Sequence, residues 1–125
     1  MKSCLVVDDS SVVRKVARRI LEGLDYIVDE AEDGQEAFDK CRQEMPDAIL
    51  LDSQMPVMGG LEFLKLIRAY VGGQAPHVLY MVTEYDVGQI ALALRAGASD
   101  YMMKPFDRDV LENKFTEPAL ERAAG

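Results

Sequence analysis

Polar residues follow the ends of several short apolar segments, and their chemical types suit the binding of metal ions and phosphate. In chain order they are Asp8, Asp9, Asp52, Thr83 and Lys104. Three carboxylates brought close together repel one another unless they take up protons or share a cation. Oxygen ligands of this kind suit Mg²⁺ or a similar hard ion. The set therefore predicts a divalent-cation site, provided that the fold gathers these residues.

A cation held by these carboxylates would leave space for a phosphoryl group, because Mg²⁺ retains waters and favours phosphate oxygens. That group would lie beside the free oxygen of one aspartate. Lys104 could neutralise another phosphate oxygen, and the Thr83 hydroxyl could donate to a third. The charge on the equatorial oxygens would then be offset, as in-line phosphoryl transfer requires.

Five short apolar runs alternate with longer segments of helical period. This pattern is typical of an α/β fold whose parallel sheet is covered on both faces. Strands are expected at about residues 3–7, 27–31, 48–51, 78–82 and 100–103. In open parallel sheets the working site lies beyond the carboxyl ends of the strands, where the strand order reverses. The five polar residues are therefore expected at one edge of the sheet.

Capping residues mark the ends of several helices between these strands. Asp33 and Glu36 form a capping-box-like start for the second helix. Gly97 should end the fourth helix as a left-handed cap. Pro118 lacks the donor that a helix interior needs, so the fifth helix should end or kink at about residues 116–118.

Apolar residues recur at helical spacing, which predicts one apolar stripe on each helix. The expected members are Val13, Ala17, Ile20 and Leu24 in the first helix, Ala37, Phe38, Cys41 and Met45 in the second, Leu64, Ile67 and Val71 in the third, Val87, Ile90, Ala91 and Leu94 in the fourth, and Val110, Leu111 and Phe115 in the fifth. In the third helix these side chains should face inward.

The size of the chain predicts one small domain. Its 125 residues, 49% of them apolar, suffice for one continuous core and leave no room for a second catalytic or DNA-binding domain. We expect a single domain over residues 1–125, with a core at about 3–117 and a short tail at 118–125.

The formal net charge of −8 argues against general binding of nucleic acid or anionic membranes, because both would repel the chain. No apolar run approaches the roughly 20 residues that a membrane helix needs, and the N-terminus shows no signal-peptide cleavage pattern. Cys4 and Cys41 have no metal-ligand spacing and are interpreted as reduced packing residues. A cytoplasmic location without membrane insertion is expected.

Four separated motifs resemble those of the receiver domains of two-component response regulators. They are Val6-Val7-Asp8-Asp9-Ser10, Leu51-Asp52-Ser53-Gln54-Met55-Pro56 with Gly60, Val82-Thr83, and Asp100-Tyr101-Met102-Met103-Lys104-Pro105-Phe106. The resemblance covers about residues 3–117 and is specific, because the motifs occur in the right order at the right distances. It implies a doubly wound, flavodoxin-like (βα)₅ fold with strand order 2-1-3-4-5. The likeness is greatest to stand-alone, chemotaxis-type regulators of the CheY kind.

The resemblance also implies a role for the matched residues. Asp52 would be the phosphoacceptor. Asp9, Asp52 and the backbone carbonyl of Gln54 would bind Mg²⁺ or Mn²⁺, and Asp8 would reach the ion mainly through water.

Further roles that the resemblance implies concern the phosphoryl group and a switch. Lys104 and Thr83 would hold the phosphoryl group, and Tyr101 would swing inward with Thr83 on activation. The Lys104–Pro105 peptide bond would be cis.

The loops beside the site carry both matches and departures. Pro56 and Gly60 match the family pattern and would shape the loop without taking part in chemistry. Gly59 replaces a polar residue that is common in the family. Glu84 stands where the family usually has a small residue, and both Glu84 and Gln54 could modulate the site. We expect the Glu84 side chain to turn towards solvent.

Taken as a whole, the resemblance implies a single-domain response regulator. It would take a phosphoryl group from a sensor histidine kinase or a histidine phosphotransfer protein and then present a changed surface to an unidentified output protein. No enzyme activity is expected beyond phosphorylation and dephosphorylation of the chain itself. Binding of nucleic acid is not expected.

Other functions fit parts of the pattern. A degenerate receiver could act as a phosphorylation-independent protein-interaction module. A haloacid-dehalogenase-type phosphatase would need a second aspartate at the position of Gln54. A flavodoxin-like electron carrier would place its flavin phosphate against Asp8 and Asp9.

The first helix carries basic residues away from its apolar stripe, namely Arg14, Lys15, Arg18 and Arg19. Like charges four residues apart are mildly unfavourable in an isolated helix, and only Glu22 relieves them locally. These residues form either a solvated face or a docking surface for an acidic phosphodonor.

Overall fold

The computed structural model describes residues 2–116, in which five parallel strands alternate with five helices. The strands are β1 (Ser3–Val7), β2 (Ile27–Ala31), β3 (Ala48–Asp52), β4 (His77–Val82) and β5 (Asp100–Met103). They form one sheet in the order β2-β1-β3-β4-β5. The predicted doubly wound fold and its strand order are therefore confirmed.

The helices begin where the sequence supplies side-chain caps. Their bounds are α1 (Ser11–Gly23), α2 (Gly34–Gln43), α3 (Gly60–Ala69), α4 (Val87–Ala96) and α5 (Arg108–Lys114). Asp33 accepts a hydrogen bond from the Glu36 amide at the start of α2, and Asp86 accepts one from the Gln89 amide at the start of α4. Such caps satisfy amides that have no partner within the helix. Gly97 ends α4 in the left-handed conformation, as predicted.

Two buried clusters lie on opposite faces of the sheet. One joins the inward residues of α2, α3 and α4 to alternate strand residues such as Leu5, Val7 and Leu51. The other joins α1 and α5 to the strand residues between them, including Val6 and Leu50. Because successive strand side chains point to opposite faces, β1 and β3 contribute to both clusters and are buried throughout their last four residues.

The strand order reverses between β1 and β3, since the chain continues from β1 to one side and from β3 to the other. Asp8 follows β1, and Asp52 is the last residue of β3. The two strands pair with Val7 beside Leu51, so their carboxyl ends are level. The fold thus brings Asp8 and Asp52 together at the position where open α/β sheets form sites.

Three of the predicted apolar stripes need correction. In α5 Leu111 is buried, whereas Val110 is 41% exposed. The prediction that Val71 points inward is wrong: α3 ends at Ala69, Tyr70 has an extended backbone, and Val71 is 90% exposed. In α4 the buried residues are Ile90 and Ala93, whereas Val87 and Leu94 are exposed. This short helix contacts the core along a narrower stripe than its composition suggests.

The end of α5 lies close to the limit of the described residues. The helix ends at Lys114, and Phe115 follows it with its side chain buried. The break predicted at Pro118 lies outside residues 2–116. Within that range, α1 is the longest helix at 13 residues, and none of the described helices has the length and hydropathy of a transmembrane segment.

Candidate phosphoryl and metal site

Three carboxylates converge at the carboxyl edge of the sheet. Asp8 is fully buried, Asp52 is 3% exposed, and Asp9 is exposed. Each offers one carboxylate oxygen, and these three oxygens lie within 4.8 Å of one another. Hard oxygen donors at this separation are what Mg²⁺ and Mn²⁺ select, so the donor set fits a divalent cation.

Lys104 bridges the two buried carboxylates from the end of β5. Its Nζ atom lies 2.9 Å from Asp8 Oδ2 and 3.3 Å from Asp52 Oδ1. Its backbone amide donates to the Val82 carbonyl at 2.7 Å, which ties the loop after β5 to β4. The Lys104–Pro105 peptide bond is cis, in agreement with the expectation.

The charges of the site act on one another. Burial raises the pKa of Asp52, the neighbouring Asp8 charge raises it further, and the Lys104 charge only partly opposes them. Burial lowers the pKa of Lys104, but its hydrogen bond to Asp8 and the charge of Asp52 outweigh this effect and raise that pKa overall. The buried carboxylate pair is therefore incompletely neutralised by one ammonium, which favours the binding of a cation.

The loop after β3 turns back tightly over the site. A Cβ atom at Gly60 would overlap the Asp52 carbonyl oxygen, so α3 can begin here only with glycine. The Gly60 amide donates to the Ser53 carbonyl at 3.2 Å. Gln54 and Pro56 lie exposed in the same loop. Gly60 thus has the structural role that the resemblance implies.

Thr83 follows β4 and lies at the mouth of the site. It lines one cleft together with Lys104, and a second cavity together with Gln54 and Glu84. Glu84 is exposed, as expected from its position beside an acidic pocket. Its carboxylate therefore faces solvent at the same opening as the Thr83 hydroxyl.

Tyr101 lies half-buried on β5, packed against the cluster that α2, α3 and α4 cover. Its ring centroid is 6.5 Å from that of Tyr85, and Lys114 Nζ lies 5.6 Å from the Tyr101 ring. Lys114 also pairs with Asp100 at 3.0 Å. Tyr85 was not identified from the sequence, because nothing in its local pattern indicates a ring contact with a residue on β5.

The basic residues of α1 meet a carboxylate that the sequence analysis did not single out. Glu30 on β2 binds three of them, with N–O distances of 3.0 Å to Arg14, 3.2 Å to Lys15 and 2.6 Å to Arg18. Burial raises the pKa of Glu30, but the hydrogen bonds from Arg18, Lys15 and Arg14 lower it to about 2. The sequence analysis did not predict this cluster. Lys15 and Arg19 remain exposed to solvent, as a solvated face would have them, and docking of an acidic phosphodonor stays a prediction.

Fold and site together define a flavodoxin-like α/β protein with an acidic pocket where the strand order reverses. Residues 4–116 match the family model for the response regulator receiver domain. The chain therefore belongs to the receiver domains of two-component response regulators. The family predicted from its four motifs is confirmed.

Individual relatives agree with this assignment. The chain is 41% identical to response regulator MprA of Mycolicibacterium vanbaalenii over 102 residues, which are 82% of this chain and 43% of that protein. It has the same identity to MprA of Mycobacterium avium, over 82% of this chain and 44% of that protein. The chain thus spans less than half the length of these curated relatives.

Solved structures resemble the whole described fold. The chemotaxis response regulator CheY4 of Vibrio cholerae superposes with a TM-score of 0.88 at 32% identity, covering 98% of both chains. A CheY-like receiver domain protein of Methanospirillum hungatei also gives a TM-score of 0.88, at 27% identity, over 99% of this chain and 98% of that one.

Proposed function

We propose that the chain accepts a phosphoryl group on Asp52 in a reaction that requires Mg²⁺ or Mn²⁺. The observation that carries this proposal is the buried Asp52 carboxylate, which contacts Lys104 and lies within reach of the Asp8 and Asp9 oxygens. A bound cation would neutralise oxygens of the incoming group. Asp8, Asp9, Asp52 and the backbone carbonyl of Gln54 are the groups proposed to hold it.

Asp52 acts as the nucleophile in this proposal. One of its carboxylate oxygens forms a bond to phosphorus, while the bond between phosphorus and the donor breaks and the donor leaves with that electron pair. Lys104, already 3.3 Å from Asp52 Oδ1, then contacts a phosphoryl oxygen, and the Thr83 hydroxyl donates to another. The proposed donor is a sensor histidine kinase or a histidine phosphotransfer protein.

The chain modifies only itself in this reaction and is not proposed to turn over external substrates. We place the reaction in the cytoplasm, which is supported by two buried free cysteines, Cys4 and Cys41. Burial raises the pKa of each thiol to about 12, so neither is a reactive thiolate at neutral pH.

Intact-mass spectrometry after incubation with acetyl phosphate tests the acceptor. We expect one phosphoryl adduct that needs Mg²⁺, since the cation offsets the charge of the incoming group. Asp52→Asn should give no adduct, and neither should the parent protein in excess chelator. Glu84→Gln is the matched control, because it removes one carboxylate at the site's mouth and should still react. An equal yield from Asp52→Asn would refute the mechanism, and no adduct on any variant would favour a phosphorylation-independent interaction module.

The proposed response to phosphorylation is a rearrangement around Tyr101. If Thr83 moves towards the phosphoryl group, it vacates space that the Tyr101 ring fills, and differential contacts shift a two-state equilibrium. The face formed by α4, β5 and α5 would then present a new surface to an output protein.

NMR with beryllofluoride, a phosphoryl mimic, tests this switch. In the parent protein we expect shift changes that extend from residues 52–54 to Tyr85, Tyr101 and α4. Thr83→Ala should bind the mimic but lose the changes at Tyr101, since the moving hydroxyl is gone. Changes confined to the metal site in the parent protein would contradict the switch.

Glu84 should slow reaction with small anionic donors, because its exposed carboxylate lies at the opening of the site. Replacing it with alanine is expected to speed phosphorylation by acetyl phosphate roughly twofold to fivefold at low ionic strength. The gain should shrink as salt is added, since the charge is exposed. Equal rates for Glu84→Ala and the parent at low salt would show that this carboxylate has no influence on donor access.

A further inference from the structure

The polar groups of Asp8 are unusually well anchored. Its amide donates to the Ala31 carbonyl at 3.1 Å. Its Oδ1 accepts from the Ser10 amide at 2.8 Å, and its Oδ2 accepts from Lys104 at 2.9 Å. The remaining group, the backbone carbonyl, accepts from Arg14 Nη1 at 2.7 Å. Asp8 is thus fixed through its main chain as well as its side chain.

Asp9 is held differently. Its side chain is exposed, and within residues 2–116 its carboxylate takes part in no hydrogen bond or ion pair. The position of this carboxylate therefore depends on the backbone that presents it. The Asp8 carbonyl belongs to the peptide unit that joins Asp8 to Asp9, so the bond from Arg14 fixes the orientation of that unit.

Glu30 holds the Arg14 guanidinium in the position from which it donates to the Asp8 carbonyl. Arg14 Nε lies 3.0 Å from Glu30 Oε1, and both side chains are about six-sevenths buried, with exposures of 15% and 14%. The guanidinium thus spans from β2 to the turn after β1 in a fixed geometry. Lys would lack the planar fork that reaches both partners at once.

We infer that Arg14 is a positioning residue for the cation site: it orients the Asp8–Asp9 peptide unit and so places the Asp9 carboxylate for metal binding. The inference rests on the proposed metal-dependent function and extends it to a residue on α1 that touches neither the cation nor the phosphoryl group. Groups that orient metal ligands typically change metal affinity by about 10-fold to 100-fold when they are removed.

Arg18 supplies a matched control. It binds the same Glu30 at 2.6 Å and also pairs with Glu22, but among residues 2–116 it makes no hydrogen bond to Asp8. Removing either arginine deletes one positive charge from α1. Coulomb's law alone therefore predicts that both removals leave cation affinity unchanged or strengthen it. A loss of affinity on removal of Arg14 would have the opposite sign and would indicate positioning.

The experiment measures Mg²⁺ affinity by calorimetry for the parent protein, Arg14→Met, Arg14→Lys and Arg18→Met. We expect Arg14→Met to weaken binding about tenfold, Arg14→Lys to weaken it despite keeping the charge, and Arg18→Met to stay within about twofold of the parent. Amide exchange of Ser10 in the metal-free protein provides a second readout. Exchange should accelerate in Arg14→Met and not in Arg18→Met. Of the two arginines, only Arg14 donates a hydrogen bond to the turn that contains this amide.

The outcomes separate the inference from the proposed function. If the parent binds Mg²⁺ and Arg14→Met binds it equally well or more tightly, the positioning role is overturned while the metal site stands. If the parent binds no Mg²⁺, the proposed function fails first and the inference falls with it. If Arg14→Met proves unfolded by circular dichroism, Arg14→Lys decides, and parent-like affinity and Ser10 exchange in that variant would overturn the inference.

Discussion

Replacing Lys104 with methionine should lower the free energy of unfolding of the metal-free protein by about 3 kcal/mol at neutral pH. Lys104 Nζ is the cation paired with both Asp8 and Asp52, at 2.9 and 3.3 Å, and both carboxylates are buried. Methionine keeps most of the side-chain volume, so the loss reports the charge. Without the ammonium, the two carboxylates repel each other, and no other cation among the described residues forms an ion pair with them.

Chemical denaturation with and without Mg²⁺ would measure this effect, since linear extrapolation of the transition to zero denaturant gives the free energy of unfolding. Mg²⁺ should reduce the deficit because the cation replaces part of the missing positive charge. Acid should reduce it too: burial already raises the pKa of Asp52, and protonation at lower pH removes the repulsion. Lys104→Arg is the charge-preserving control and should lose less. A stability equal to that of the parent in Lys104→Met would show that the carboxylates do not need this partner.

The parts of the fold that the sequence predicted are those governed by local pattern. The strand runs are short and apolar because β1, β3 and β4 are covered on both faces, so their positions can be read without tertiary information. Asp33 and Gly97 mark helix ends through their own local conformations. The site at the sheet edge followed from topology, since parallel strands place their carboxyl ends together.

The parts that could not be predicted depend on contacts between distant segments. Glu30 meets Arg14 across 16 residues, and that meeting requires the packing geometry of α1 against β2. The helical spacing predicts that Val71 is a core position of α3. The helix instead ends at Ala69, before Val71, and the Gly73 amide donates to the Tyr70 carbonyl in the turn that follows. The spacing of apolar residues alone therefore does not determine the residue at which a helix ends.

Asp52 should destabilise the metal-free protein. We expect Asp52→Asn to raise the free energy of unfolding by about 1 kcal/mol, a gain of the size common for stabilising substitutions. The sign follows from the direction of the pKa shift. Burial and Asp8 raise the pKa of Asp52 in the folded protein, so its ionised form at neutral pH is less favourable there than in the unfolded chain. The asparagine oxygen can still accept from Lys104 without carrying that charge.

Mg²⁺ should reverse this order of stability. A ligand present at 100 times its dissociation constant stabilises the folded state that binds it by about 2.7 kcal/mol. The parent protein should gain this amount, whereas Asp52→Asn, which lacks a charged ligand, should gain much less. In thermal unfolding, Asp52→Asn should therefore melt at a higher temperature than the parent in chelator, and at a lower temperature than the parent with Mg²⁺. Glu84→Gln removes an exposed carboxylate of the same charge and should follow the parent in both conditions. If Asp52→Asn melted below the parent in chelator and both shifted equally with Mg²⁺, Asp52 would be neither an unfavourable buried charge nor a metal ligand.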